Sequence, residues 1–143
     1  MTVGYSGTPL VKKLGIKEGF AILAVNAPEH YPSLVDPLPK GSEITNVELR
    51  SVDKAKSDVD IIHFFTNTRN DLFRMLPLLT KLIKQGGSIW VSWYKKAAKV
   101  PTEITEDIVR EACLPIGLVD VKVCAVDEKW SGLKLVIRKE NRS

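Results

Sequence analysis

Apolar residues fall into two rhythms along this chain. Phe20 to Val25, Val59 to Thr66 and Ser88 to Trp93 are nearly continuous apolar runs, the second built on Ile61, Ile62, Phe64 and Phe65. Runs that do not alternate predict strands covered on both faces, as in a parallel sheet. Ile44 to Leu49 alternates weakly and reads as a further strand, nearer an edge. Toward the carboxyl end the rhythm changes. Val119, Val121, Val123 and Ala125 alternate with Asp120, Lys122 and Cys124, and Leu133, Leu135 and Ile137 alternate again after Asp127-Glu128-Lys129. Period two on both sides of a polar break predicts an antiparallel hairpin.

Helical spacing fills the gaps. Thr8-Pro9 predicts a short helix with Thr8 as its cap, Pro9 at the first helical position and Gly15 as its left-handed stop. Tyr31 to Pro39 contains three prolines, so any helix there is short or irregular. Ser51 to Asp58 is too short for a full crossover with its own strand. Asp71 to Gln85 spaces Leu72, Met75, Leu76, Leu79 and Leu82 or Ile83 as a helix, with a kink or break expected at Pro77 and an end at Gly86-Gly87. Thr102 to Cys113 reads as the second long helix, with Glu103, Glu106 and Asp107 favouring its first turn. Strands alternating with helices predict an α/β fold: an open, mostly parallel sheet flanked by helices and ending in the hairpin. No repeat or shift in composition divides the chain, so one domain is expected over residues 1–143.

Composition removes alternatives without adding a function. At 44% hydrophobic and 27% charged, the chain matches soluble globular proteins and not disordered or collagen-like ones. Its net charge of +4 is too mild to single out a polyanionic partner. No apolar run approaches the roughly 20 residues that span a bilayer. The first residues lack the basic start and apolar stretch of a signal peptide. Cys113 and Cys124 have no partners at metal-ligand spacing and read as two buried free thiols, with a disulfide as the alternative. A cytoplasmic location follows as an expectation, with no membrane partner.

Three strings carry a family resemblance. Leu14-Gly15-Ile16-Lys17-Glu18-Gly19-Phe20-Ala21-Ile22-Leu23, Ser57-Asp58-Val59-Asp60-Ile61-Ile62 and Ile83-Lys84-Gln85-Gly86-Gly87-Ser88-Ile89-Trp90-Val91 resemble the entries to three strands of class I S-adenosylmethionine-dependent methyltransferases. The resemblance implies a Rossmann-like fold. Tyr5-Ser6-Gly7-Thr8-Pro9-Leu10, Trp90-Val91-Ser92-Trp93 with Lys95-Lys96, and Asp120 to Asp127 with Trp130-Ser131-Gly132-Leu133-Lys134-Leu135 resemble the signature strings of a bacterial family of unknown function. Two departures weigh against methyl transfer. Val25-Asn26-Ala27-Pro28-Glu29-His30 holds no glycine where the backbone would have to approach the cofactor. The stretch from Leu49 to Val59 is too short for the usual helix, strand and helix, so the topology is expected to be truncated. Glu48 stands where an acidic residue would hold a ribose, or is simply a solvated side chain.

Ligands of open α/β sheets bind beyond the carboxyl ends of the parallel strands. That edge gathers Asn26 and Glu29 after the first strand, Thr66 and Asn67 after the next, and Ser92, Trp93, Lys95 and Lys96 after the third. These are the candidate ligand-binding residues, against the plainer reading of ordinary loop residues. Lys95-Lys96 offers point charges to phosphate, while Lys12, Lys13 and Lys17 read as the wet face of the first helix. His63 reads as a core histidine. Glu29-His30 is a candidate acid–base pair without a visible nucleophile. Trp130-Ser131-Gly132 reads as hairpin turn chemistry, and Tyr5-Ser6-Gly7 as a lid or a tied-down terminus. No catalytic residue, metal or cofactor is assigned, and standard S-adenosylmethionine binding is not expected. The expectation is a non-catalytic binding or regulatory module with a small anionic ligand or a protein as partner. The alternative is a small enzyme acting on an anionic or phosphorylated small molecule. Weak nucleic-acid binding through the lysines is the least supported reading.

Overall fold

The computed structural model describes residues 8–142, so Tyr5, Ser6 and Gly7 lie outside the described residues. The chain runs α1 (Leu10–Leu14), β1 (Ala21–Val25), α2 (Tyr31–Leu34), β2 (Glu43–Val47), a 3-10 helix (Leu49–Lys54), β3 (Val59–Phe65), α3 (Arg69–Thr80), β4 (Ile83–Tyr94), α4 (Glu106–Cys113), β5 (Leu118–Ala125) and β6 (Trp130–Ile137). The strands form one sheet in the order β2-β1-β3-β4-β6-β5. The first four pair in parallel, and β6 runs antiparallel between β4 and β5. The direction of winding reverses between β1 and β3. The expected mostly parallel sheet with a terminal antiparallel hairpin is therefore the observed one. A single 3-10 helix fills the short stretch after β2.

The continuous apolar runs have a direct cause: both faces of the central strands are covered. Leu23, Val25, Ile62, Phe64, Val91 and Trp93 join one buried cluster with residues of α3 and α4. Ile22, Ala24, Ile61, Phe65 and Trp90 join the other, with Leu10 and Leu14 of α1 and Tyr31 of α2.

Several boundaries differ from the sequence reading. α3 ends at Thr80, not Gln85, and runs through Pro77 without breaking. Leu82 still satisfies helical spacing, but its carbonyl accepts the Val59 N–H at 3.1 Å, and Ile83 pairs with Val59. An available strand edge overrides the end of an amphipathic pattern. Gly86-Gly87 thus lies inside β4, in a bulge between the Val59–Ile83 and Ile61–Ser88 pairs. α4 starts four residues later than expected, because Thr105 caps it by accepting the Ile108 N–H at 3.2 Å. Glu103 instead accepts the Arg69 N–H at 2.8 Å and stays outside that helix. Pro9, not Thr8, takes the cap position of α1, while Gly15 stops it at φ 80° as expected.

Lys13 is not on a wet face. It is buried, and its Nζ donates to the Ala125 carbonyl at 3.1 Å. The alternation of β5 breaks at a bulge between Asp120 and Lys122, and Val121 and Val123 are more than half exposed on this edge strand. Trp130, Ser131 and Gly132 are strand, not turn. The turn is built by Asp127, whose Oδ1 accepts the Lys129 and Trp130 N–H groups, each at 2.8 Å. Both cysteines are free, as expected, but only Cys113 is buried; Cys124 on the edge strand β5 is partly exposed.

Candidate functional site

The carboxyl ends of β1, β3 and β4 stand side by side at the reversal of winding, so the predicted residues do converge on one edge. Asn26 ends β1 in the left-handed region, at φ 58°, which asparagine tolerates better than most residues. Its N–H donates to Val47 O and its Nδ2 to Phe65 O, both at 3.0 Å. One residue thereby ties β1 to the ends of β2 and β3. The Thr66 N–H donates to Ser92 O at 3.0 Å. Asn67 Oδ1 accepts the Tyr94 N–H at 2.8 Å, and its carbonyl accepts the Glu103 N–H at 2.9 Å. The Asn26 and Asn67 side chains at this edge are spent on the protein's own backbone.

Beneath the edge lies a polar chain inside an apolar layer. Tyr31 Oη and His63 Nδ1 are 2.9 Å apart, and His63 Nε2 and Ser92 Oγ are 2.7 Å apart. All three residues are fully buried. Burial lowers the His63 pKa to about 3, so the ring is neutral, with one nitrogen donating and the other accepting. Burial raises the Tyr31 phenol well above its ordinary value. His63 also stacks on Phe65 at 4.2 Å between centroids, and Phe65 meets Trp130 edge-on at 5.0 Å. Tyr31 packs edge-on against both His63 and Phe65. It thus occupies the layer under the loop that follows β1.

His30 takes a partner other than Glu29. Its Nε2 lies 2.9 Å from Asp127 Oδ2, while Glu29 is exposed. The contact joins the loop after β1 to the β5–β6 turn. The Lys95 N–H donates to Lys129 O on that same turn at 2.8 Å, and Tyr94 packs tilted against Trp130 with ring centroids 4.3 Å apart. Lys95 is half-buried and Lys96 exposed at the start of a 3-10 turn. Trp93 points into the core shared with α3 and α4. Glu48 is exposed and pairs with Arg50 at 2.7 Å. Burial raises the Cys124 thiol above its usual value, which lowers its thiolate fraction.

Among the described residues, no three His, Cys, Asp or Glu side chains are placed to hold a metal ion. No helix there is long and apolar enough to cross a membrane. Sequence reasoning missed the Tyr31–His63–Ser92 chain and the role of Asp127. The latter had a local signal, an aspartate opening a polar break between two alternating stretches. The former had none, since its members are 29 and 32 residues apart.

A family model described as "Protein of unknown function (DUF3052)" matches residues 36–139. No curated protein matches the chain. Among solved structures, a SAM-dependent methyltransferase from Aquifex aeolicus is similar over 94% of this chain and 91% of its own, with a TM-score of 0.70 and 17% identity. A TehB-like SAM-dependent methyltransferase from Corynebacterium glutamicum is similar over 90% and 85%, with a TM-score of 0.58 and 13% identity. The fibrillarin pre-rRNA processing protein of Methanococcus jannaschii is similar over 94% and 70%, with a TM-score of 0.60 and 12% identity. At such identities the likeness establishes the fold.

Proposed function

Since this chain belongs to the DUF3052 family of unknown function and has a methyltransferase-like fold, we propose that it is a non-catalytic binding or regulatory module. In this reading it does not hold S-adenosylmethionine in the manner of that fold. One observation carries the reading: the Asn26 and Asn67 side chains of the carboxyl edge are spent on the protein's own backbone. Asn26 bridges three strand ends where a cofactor loop would need an unobstructed backbone. Tyr31 fills the layer beneath, held by His63. The loop between them contains no glycine and carries Pro28, which has no N–H to offer. These residues do not fit the cofactor, so no chemical step is routed through it.

Isothermal titration with S-adenosylmethionine and S-adenosylhomocysteine tests the proposal. The expected result is no saturable heat up to about millimolar ligand, where even a weak complex of about −4 kcal/mol would register. Saturable micromolar binding followed by methyl transfer overturns it.

A second reading has its own observation. His30 is oriented by a mostly buried carboxylate on the turn that also holds Lys95. That pairing suits an enzyme acting on an anionic or phosphorylated small molecule. If Lys95→Ala with Lys96→Ala leaves the binding of every screened anion unchanged, this reading falls.

A further inference from the structure

The opposite edge of the sheet holds a cleft that neither reading uses. It measures about 400 Å³ and is lined by α1 and its exit, the starts of β1 and β3, the bulge of β4 and the end of β6. Pockets of this size class take small organic ligands. Phe20 and Val136, each partly exposed, supply apolar wall over the buried Leu14 and Ile61, and Lys17, Lys84 and Lys134 supply cationic side chains. Asp60 is the one acidic residue among them, and both of its oxygens are engaged. Oδ2 accepts the Ala21 N–H at 2.8 Å and Oδ1 accepts from Lys84 Nζ at 3.0 Å. Lys17 and Lys134 form no ion pair among the described residues. The cleft therefore carries an uncompensated positive charge beside an apolar wall.

Its shape is built into the backbone. Between Ile83 and Ser88 the β4 chain leaves the ladder, and Gly87 passes so close to β3 that a Cβ there would lie 2.8 Å from Asp60 O. Only glycine allows this approach without displacing the strand. The bulge opens the ladder beside the lysines and sets Lys84 across from Asp60.

We propose that this amino-edge cleft is a binding site for a small phosphorylated organic molecule, its phosphate held by Lys17 and Lys134 and its apolar part laid against Phe20 and Val136. The proposal is independent of the carboxyl-edge reading, because the two sites share no residue. Lysine suits a phosphate as a point charge.

The test is a backbone-amide NMR titration of the full chain with inorganic pyrophosphate, adenosine diphosphate and, as an uncharged control, adenosine. Saturable shifts centred on residues 15–20, 60–61, 84–88 and 134–136 are expected for adenosine diphosphate, weaker ones for pyrophosphate, and none for adenosine. Lys17→Glu with Lys134→Glu should weaken adenosine diphosphate binding by about tenfold or more, and added salt should weaken it in the wild type. Because both lysines lie outside the buried core, the variant is expected to keep the wild-type spectrum elsewhere. The proposal is overturned by no saturable shift with either phosphate at millimolar concentration, by shifts centred on Asn26 and Lys95 instead, or by unchanged affinity in the double variant. A failed S-adenosylmethionine titration leaves these outcomes untouched, so the two readings fail separately.

Discussion

The buried His63 makes a quantitative prediction about acid stability. Its folded pKa of about 3 lies below the ordinary 6.5, so the unfolded chain binds a proton that the folded chain refuses. The sign follows from linkage. Its stabilising contribution is fully present above pH 6.5 and is lost as pH falls from there toward 3. Between about pH 7.5 and about pH 5.5 the loss from this one group is about 1 kcal/mol, growing to a few kcal/mol on further acidification. Both are large against a typical folding stability of about 5–15 kcal/mol. Replacing the ring by His63→Leu removes the titration. It also strands two buried hydroxyls, Tyr31 Oη and Ser92 Oγ, at a cost of about 1–3 kcal/mol each. The assay is urea unfolding of both proteins at several pH values. The variant should start lower at neutral pH yet lose less stability on acidification, the difference reaching about 1 kcal/mol at about pH 5.5. Carboxylates titrate in both proteins and cancel in the comparison. Equal losses in the two proteins would refute the assignment of acid sensitivity to His63.

Three further outcomes follow from particular contacts. Gly87→Ala should destabilise by about 1–3 kcal/mol in thermal unfolding, because the new methyl meets Asp60 O at 2.8 Å, whereas Gly86→Ala meets nothing within 4 Å and should change stability by less than about 0.5 kcal/mol. Asp127→Ala should cost more than His30→Ala, by about 1–2 kcal/mol in chemical denaturation, since it removes the acceptor of two turn N–H groups as well as the partner of a half-exposed imidazole. Thr105→Ala should cost about 1 kcal/mol in the same assay, with Thr105→Gly close to wild type, because only the cap to Ile108 is lost.

How much of this was legible beforehand differs from element to element. The runs at Phe20 to Val25 and Val59 to Thr66 announced strands buried on both faces, because a parallel sheet leaves no wet side to record as alternation. The reach of α3 was not legible. Leu82 and Ile83 suit a helix stripe as well as a strand, and the neighbouring edge of β3 decides between them. The carboxyl edge was foreseen as a place, since strand order alone puts Asn26, Asn67 and Ser92 together. What those side chains do there was not. Asn26 and Asn67 turn to backbone groups of other strands, and Ser92 turns inward to His63.

Periodicity, turn residues and the short stretch after Leu49 determined by themselves an open α/β sheet with a truncated crossover and a terminal hairpin. These are local properties, set by which faces of a segment must leave water. The tertiary structure alone decided the rest. It paired His30 with Asp127 rather than Glu29, buried Lys13, and set Gly86-Gly87 into a strand bulge that opens a basic cleft at the amino edge. Each depends on groups distant in sequence meeting where water is scarce, and there a polar atom takes whatever partner the packing brings within reach.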